Sequence, residues 1–521
     1  MRPRSARWLA PALLAAAGVA AAVGWLIATG TSSQTAGTFR SSDALLNRIW
    51  TVSVKTARDM VVPGPLSVDA LGRPCAIALR TVIVDGVVRD RCPYIGDQAV
   101  IDRTLFVSVP EDDAPVMRAM LLWYAHNQHR DGSIPQSPIF HARVVGFDYN
   151  AYWVEALHDY VLYTGDRALA RSVWSSLVEL MNRWYPRQLG ANGLLVDRVG
   201  ARDYAGIHRR GDTIAYFNAG YGVALEQAAT VAGWLGHRRA AAEWRRRLPS
   251  LRRSFNGAFW DPGAHAYLDS PTGPKVHPED GNAFAVLAGF ASLARARAAL
   301  DYLSRAIRQS YGNTLLDVDA WSHPGWGGLS NLRVYPFVGY FEVLARYAAG
   351  LDDSALELVR REWGYMVRNG PQQGMWENIG PHGGGPTNTL GQSWEHGWSS
   401  GAAPALTEEV LGVRPGTPGF GTFVAAPHPS GVAWARGRVP TPHGTISFSW
   451  SRTETSFDAT VDAPVGGTVA IPMYGDVTVD GGRLHVRARA VPCDRTVVTV
   501  PPGRHTLELT RRFCRPPRVV R

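Results

Sequence analysis

The stretch Asp85-Gly86-Val87-Val88-Arg89-Asp90-Arg91-Cys92-Pro93-Tyr94-Ile95-Gly96-Asp97 is the densest polar cluster of the chain. It sets three carboxylates and two arginines between glycines. An arginine beside a carboxylate lowers its pKa, and a second carboxylate raises it. A site that keeps one acid protonated and its neighbour ionised needs such a mixture. Outward from this stretch, Ser41 to Arg414 has the apolar spacing of helices, over 42–59, 113–128, 150–163, 167–185, 217–235, 238–254, 293–309, 333–349, 353–368 and 395–411. Start and stop signals stand at Ser41-Ser42-Asp43, Thr164-Gly165-Asp166 and Asp352-Asp353-Ser354. The connectors alternate between short and long, and the long ones are rich in Gly, Pro, Trp and His. This pattern predicts helical hairpins arranged in a ring, with the long connectors and the functional residues at one mouth.

After Pro415 the period changes from helical to alternating. Segments 445–450, 456–461, 467–471, 477–479, 498–500 and 506–510 read as strands between Gly, Pro and Asp turns. They predict a β-sandwich of roughly 100 residues. Pro415 to Pro418 is the expected boundary.

A second polar cluster comprises Gly374-Met375-Trp376-Glu377-Asn378 and Ser393-Trp394-Glu395-His396-Gly397-Trp398. Two carboxylates far apart in sequence, each near aromatic rings, fit glycoside hydrolysis, and a tryptophan offers a face for a sugar. The plainer alternative for each cluster is a solvated loop or a structural salt-bridge network. Trp153 and Trp398 fall on predicted helices and are expected in the core, whereas Trp321 and Trp326 lie in a loop suited to the mouth. His208, His277 and His323 are expected to satisfy loop backbones, and Asp148 and Asp280 to cap helices.

The 521 residues suffice for one large and one smaller domain, and the apolar fraction of 45% for a sizeable core. The formal charge of +10 comes from scattered arginines, lysine occurring only at Lys55 and Lys275. No basic run is interleaved with aromatics, which speaks against a nucleic-acid partner. Arg2, Arg4 and Arg7 precede an apolar run from Trp8 to about Ala28. That is an export signal. The run is also long enough to span a bilayer, so residues 1–30 read as a cleaved signal peptide or an uncleaved anchor. The protein is thus expected to be exported, secreted or held at the membrane by this segment alone. In that setting Cys75 with Cys92, and Cys493 with Cys514, are expected as disulfides, with free buried thiols as the alternative.

The first cluster, Asp85 to Asp97, resembles the signature of bacterial α-L-rhamnosidases, glycoside hydrolase family 78. The resemblance begins at Phe39–Trp50, continues in Asp159–Asp166, Pro336–Ala345 and Ser393–Gly401, and covers roughly residues 39–415. It implies an all-α (α/α)6 toroid of six hairpins over 31–415 and a small all-β antiparallel sandwich over 416–521. It also implies inversion at the anomeric carbon and a carbohydrate substrate, with no cofactor and no metal. By the same resemblance Asp90 is the general acid and Glu377 the general base, with Glu395 as the alternative base. Asp85, Asp97 and His396 contact sugar hydroxyls, and Arg89 orients the acids. Tyr94 stands where the family usually has tryptophan, Asp203 and Tyr204 line the same pocket, and Trp376 joins them as a sugar-stacking ring. Two features depart from the pattern: the acid is Asp90 where glutamate is usual, and the family's large N-terminal β-domains are missing. Alternatives are a six-hairpin glycosidase for another sugar, such as a uronic acid paired by Arg89, Arg202 or Arg209, and a non-catalytic cell-surface glycan-binding protein.

Overall fold

The computed structural model describes residues 37–69, 72–75, 79–87, 91–109, 114–138, 146–198, 203–205, 212–317, 332–370, 374–386, 393–484 and 495–511. The N-terminal apolar run, Arg89, Asp90, Arg202, His208, Arg209, Trp321, His323, Trp326, Cys493 and Cys514 lie outside the described residues.

Two kinds of helix alternate along the chain. Ala44–Asp59, Arg238–Phe259, Leu293–Ala306 and Asp352–Asn369 are amphipathic, with apolar residues on one side and charge on the other. Asp43 caps the first of these, its carboxylate accepting from the Leu45 and Leu46 amides. Ile95–Ser108, Phe147–Thr164, Ala215–Trp234, Glu279–Leu287 and Pro336–Ala348 are instead buried on nearly every side, as is the run of short helical turns from Gly397 to Leu411. In Ile95–Ser108 and Ala215–Trp234 apolar and small residues occur all round, so there the pattern has almost no amphipathic period. Ile95–Ser108 packs on Phe147–Thr164, which packs on Ala215–Trp234. Glu279–Leu287 and Pro336–Ala348 follow in turn, and the Gly397 run returns to Ile95–Ser108. Each amphipathic helix lies against one of these buried helices.

Charge ties the buried set together. Arg103 donates to Asp159 at 2.9 Å and to Glu408 at 2.6 Å, joining three of the buried segments through one guanidinium. Glu342 is held by Arg346 one turn on and accepts from Asn313 Nδ2 at 2.8 Å. Both neighbouring carboxyls, Glu279 and Glu362, lie well above the usual range because they are buried.

The β-rich part contains a seven-stranded sheet in the order Thr38–Ser41, Trp434–Thr441, Gly444–Arg452, Ser456–Ala463, Gly503–Arg511, Gly475–Val479, Gly482–Leu484. A four-stranded sheet runs Thr496–Val500, Gly467–Ile471, Phe423–Ala425, Val413–Pro415. The expected all-antiparallel arrangement needs one correction: Gly467–Ile471 pairs in parallel with Phe423–Ala425. The 3-10 turn at Pro418–Phe420 returns Phe423–Ala425 antiparallel to Val413–Pro415. The seven-stranded sheet also takes an edge strand, Thr38–Ser41, from before the first helix, with Phe39 opposite Gly437. One buried apolar cluster runs from the helices into the sheets. At the junction Trp450 Nε1 donates to the Val410 carbonyl at 3.1 Å.

Candidate active site

The two polar clusters meet. The Asp85 amide donates to the Cys92 carbonyl at 3.1 Å, closing the loop that contains Arg89 and Asp90. A Cys75–Cys92 disulfide braces the same loop, and Ser67 Oγ donates to the Arg91 carbonyl at 2.7 Å. From the other cluster, the Gly397 amide donates to the Asp85 carbonyl at 2.7 Å and the Val87 amide to the Glu395 carbonyl at 3.3 Å. Gly86 lies opposite His396 in this bridge. A Cβ on Gly86 would lie 3.0 Å from Ser393 Oγ and 3.2 Å from the His396 ring, so the two strands approach this closely only around a glycine.

This pairing places the His396 imidazole between two carboxylates, with Nε2 3.6 Å from Asp85 Oδ2 and Nδ1 3.3 Å from Asp97 Oδ1. All three side chains are buried. Asp97 stands in the first turn of Ile95–Ser108, where the positive end of the helix dipole favours an anion. Burial wins nonetheless: it is the main reason the Asp97 carboxyl is raised to about 8, with the Asp85 and Glu377 carboxylates adding to the rise and His396 opposing it. Asp85, Asp97, Glu377 and His396 therefore share one electrostatic site.

Glu377 is fixed through its backbone. Its amide donates to the Ser393 carbonyl at 3.0 Å, and its carbonyl accepts from Trp398 Nε1 at 2.8 Å. Trp376, expected to stack on a sugar, is placed in the core at 2% exposure, edge-on to Trp394 at 4.7 Å and to Tyr365 at 6.1 Å. Glu377 beside it is buried as well. Glu395 is occupied by the Lys55 ammonium at 2.7 Å, which itself bonds Asp59 at 2.6 Å. Tyr94 is the residue before Ile95–Ser108 and is half-buried against the core.

Tyr204 joins the site through Trp398, and Asp203 lies beside Asp148. The Trp398 ring lies 4.5 Å from His396 and 6.4 Å from Tyr204, edge-on to the latter. The Tyr204 hydroxyl donates to Asp280 Oδ2 at 3.1 Å, and its amide to Asp148 Oδ2 at 3.1 Å. Asp148 and Asp280, expected as helix caps, instead stand in the first turns of Phe147–Thr164 and Glu279–Leu287 and hold Tyr204 between them. Burial, then the Asp203 carboxylate, raises the Asp148 carboxyl well above its ordinary range. Nothing in the sequence links Asp148 and Asp280 to Tyr204, because the contacts span 56 and 76 residues. His277 also departs from expectation: its ring meets carboxylates, Asp317 at 2.7 Å and Asp261 at 3.4 Å, besides its backbone amide donating to Asp317. Trp153 is fully buried as expected.

The comparisons with known proteins bear on this arrangement. Residues 74–314 match the bacterial α-L-rhamnosidase six-hairpin glycosidase domain, and residues 412–483 match the bacterial α-L-rhamnosidase C-terminal domain. Both parts of this chain resemble domains of the bacterial α-L-rhamnosidases. The chain is 30% identical over 129 residues to an α-L-rhamnosidase of Alteromonas sp. (strain LOR), a match covering 22% of this chain and 13% of that protein. Its fold is similar to that of the α-L-rhamnosidase from Dictyoglumus thermophilum, with TM-score 0.70, 16% identity, and 92% of this chain and 50% of that one covered. It is also similar to the Streptomyces avermitilis α-L-rhamnosidase solved with L-rhamnose, with TM-score 0.65, 19% identity, and 92% and 42% covered. At these identities the likeness establishes the fold alone. The chain spans half or less of the length of these relatives.

Proposed function

We propose that this chain is an inverting glycoside hydrolase that removes terminal α-L-rhamnosyl or closely related deoxy-sugar residues. The observation that carries the reading is the convergence of Asp85, Asp97 and Glu377 around His396. The resemblance to the α-L-rhamnosidases supports the substrate class. The circular order in which the buried helices pack supports an (α/α)6 toroid over residues 31–415, with residues 416–521 as the companion β-sandwich.

In the proposed reaction, protonated Asp90 donates its proton to the leaving glycosidic oxygen. Glu377 takes a proton from a water that attacks the anomeric carbon from the opposite face. A separation of about 6.5–9.5 Å between the two carboxyls leaves room for that water and inverts the configuration. The Asp85–Cys92 hydrogen bond and the Cys75–Cys92 disulfide support this role for Asp90, since they fix both ends of its loop. Asp90 is one methylene shorter than the glutamate usual in the family. The ion pair of Glu395 with Lys55 favours Glu377 over Glu395 as base. Asp85, Asp97, Asp203, Tyr204 and His396 bind the sugar, and Arg89 orients the acids.

Export, by a cleaved or retained N-terminal segment, belongs to the same proposal. The disulfide supports it, because such bonds persist outside the reducing cytosol. Among the described residues no helix is long and apolar enough to cross a membrane.

The test is hydrolysis of an aryl α-L-rhamnoside by residues 31–521, with the anomer of the released sugar read by NMR. Turnover with inversion is expected, falling about 10²–10⁴-fold in Asp90→Asn and Glu377→Gln. Retention of configuration, or turnover that survives Glu377→Gln, overturns the mechanism. Absence of turnover on rhamnosides, with turnover on other glycosides, overturns the substrate.

A further inference from the structure

Away from this site, the solvent face of the seven-stranded sheet carries two shallow concavities of about 380 and 350 Å³, which share Arg436, Ser449 and Thr460. Strand register fixes which side chains share that face. Arg40 stands opposite Arg436, Thr38 opposite Arg438, and Asp462 opposite Arg504. Ser449 sits between Arg436 on one side and Thr460 on the other. The reverse face supplies Phe448, Trp450, Phe457 and Leu507 to the core. One face is therefore apolar and complete, and the other is polar across five adjoining strands, a width of about 19 Å at roughly 4.8 Å per strand.

The charge on the outer face is not evenly spread. Arg40, Arg436, Arg438 and Arg504 gather in one concavity with a single carboxylate, Asp462, opposite Arg504. Asp458 and Glu508 line the other, with Trp434 at its edge beneath the Arg436 guanidinium, 5.5 Å from the ring centroid. Among the described residues Arg40 and Arg436 form no ion pair, although they are direct cross-strand neighbours. Like charges placed so destabilise a sheet pair. An anion laid over them relieves that repulsion, and the planar guanidinium fork favours a carboxylate. The Ser and Thr rows between offer hydroxyl groups that both donate and accept, and Asp458 and Glu508 accept from hydroxyls.

We infer that this face binds an anionic polysaccharide, a linear chain with carboxylates over the arginines and hydroxyls over the Ser, Thr and acidic rows. A flat anionic membrane fits poorly, because the face is concave and, among the described residues, without large exposed apolar side chains to enter a bilayer. Single-stranded nucleic acid would need a run of stacking rings, and the face offers only Trp434. The inference stands apart from the proposed hydrolysis, since the sheet face contains none of the residues assigned to the reaction.

The test is retention of the protein in affinity electrophoresis on polygalacturonate, beside dextran and beside phosphatidylglycerol vesicles. Three variants are compared at equal salt: Arg40→Ser/Arg436→Ser, the charge-matched Arg246→Ser/Arg253→Ser on a distant helix, and Arg40→Lys/Arg436→Lys. All four residues are exposed, and unchanged thermal melting confirms that each variant folds. Retention by polygalacturonate and not by dextran is expected. It weakens roughly tenfold or more in the Arg40/Arg436 serine pair, stays unchanged in the distant pair, and falls between in the lysine pair. Equal weakening in both serine pairs reduces the binding to net charge and overturns the inference. So does equal retention by dextran, binding to vesicles alone, or no binding to polygalacturonate.

Discussion

Asp97 concentrates the electrostatics of the site in one proton. Its carboxyl is raised from an ordinary 3.8 to about 8, first by burial and then by Asp85 and Glu377. Over that interval the folded protein holds a proton that the unfolded chain has released. The stability tied to this group is thus fully present below about pH 4 and is lost as the pH rises through about 8. Asp97→Asn, which cannot ionise, is expected to flatten the fall of melting temperature between about pH 5 and 9, by on the order of 1–3 kcal/mol at the alkaline end. A melting curve as steep in the variant as in the parent would place the proton elsewhere. Tyr204 offers a second test at this scale. Tyr204→Phe keeps the ring edge-on to Trp398 but removes the hydroxyl that donates to Asp280. Its expected cost is about 1–3 kcal/mol in thermal stability, with kcat/KM lower by roughly tenfold. Most of the residues in this site were legible as types: acids beside arginines, and a histidine between tryptophans. Their partners were not, because Asp148, Asp280 and Lys55 reach Tyr204 and Glu395 across 56 to 340 residues.

Among the elements, most helices were legible, the buried ones at 150–163, 217–235, 333–349 and 395–411 included, and two buried ones were not. Ile95–Ser108 and Glu279–Leu287 escape a search for helical period because nearly every position is enclosed, so apolar and small residues occur all round. Those same helices carry Asp97 and Asp280 in their first turns, so the missed elements are ones that build the site. Strands were found where alternation is strict, as in Ser456–Ala463, and missed at the short Thr38–Ser41, Val413–Pro415, Phe423–Ala425 and Gly482–Leu484 and at Trp434–Thr441, where Gly437 and Pro440 interrupt the pattern. Two predictions concern how elements are fastened. Glu362 joins Asp352–Asn369 to its neighbours with a carboxyl raised to about 8 by burial and by Glu342, partly offset by Arg361. Its stability contribution is likewise lost as pH rises toward 8, so Glu362→Gln is expected to match or exceed the parent in melting temperature at about pH 8 and lose that advantage near pH 5. Cys75→Ser/Cys92→Ser, opening a link of sequence separation 17, is expected to cost about 3 kcal/mol in denaturant unfolding and to lower turnover through the Asp90 loop.

At the scale of the molecule, the helical and β-rich parts share one apolar core, with Trp450 bonded to the Val410 carbonyl. Removing everything after Arg414 would expose that junction and strand Thr38–Ser41 without its partner. Such a truncation is expected to be insoluble or to melt well below the full chain in calorimetry, whereas independent domains would give a soluble helical fragment of unchanged stability. The edge strand has a further consequence for how the chain reaches this state. Thr38–Ser41 pairs in register with residues 435–438, so the first strand of the described fold must wait for nearly the whole polypeptide before it can dock. Pairings that distant delay folding, since the entropy of closing so long a loop is spent before any contact rewards it. The leading strand is therefore expected to dock late, once residues 435–438 have joined the sheet.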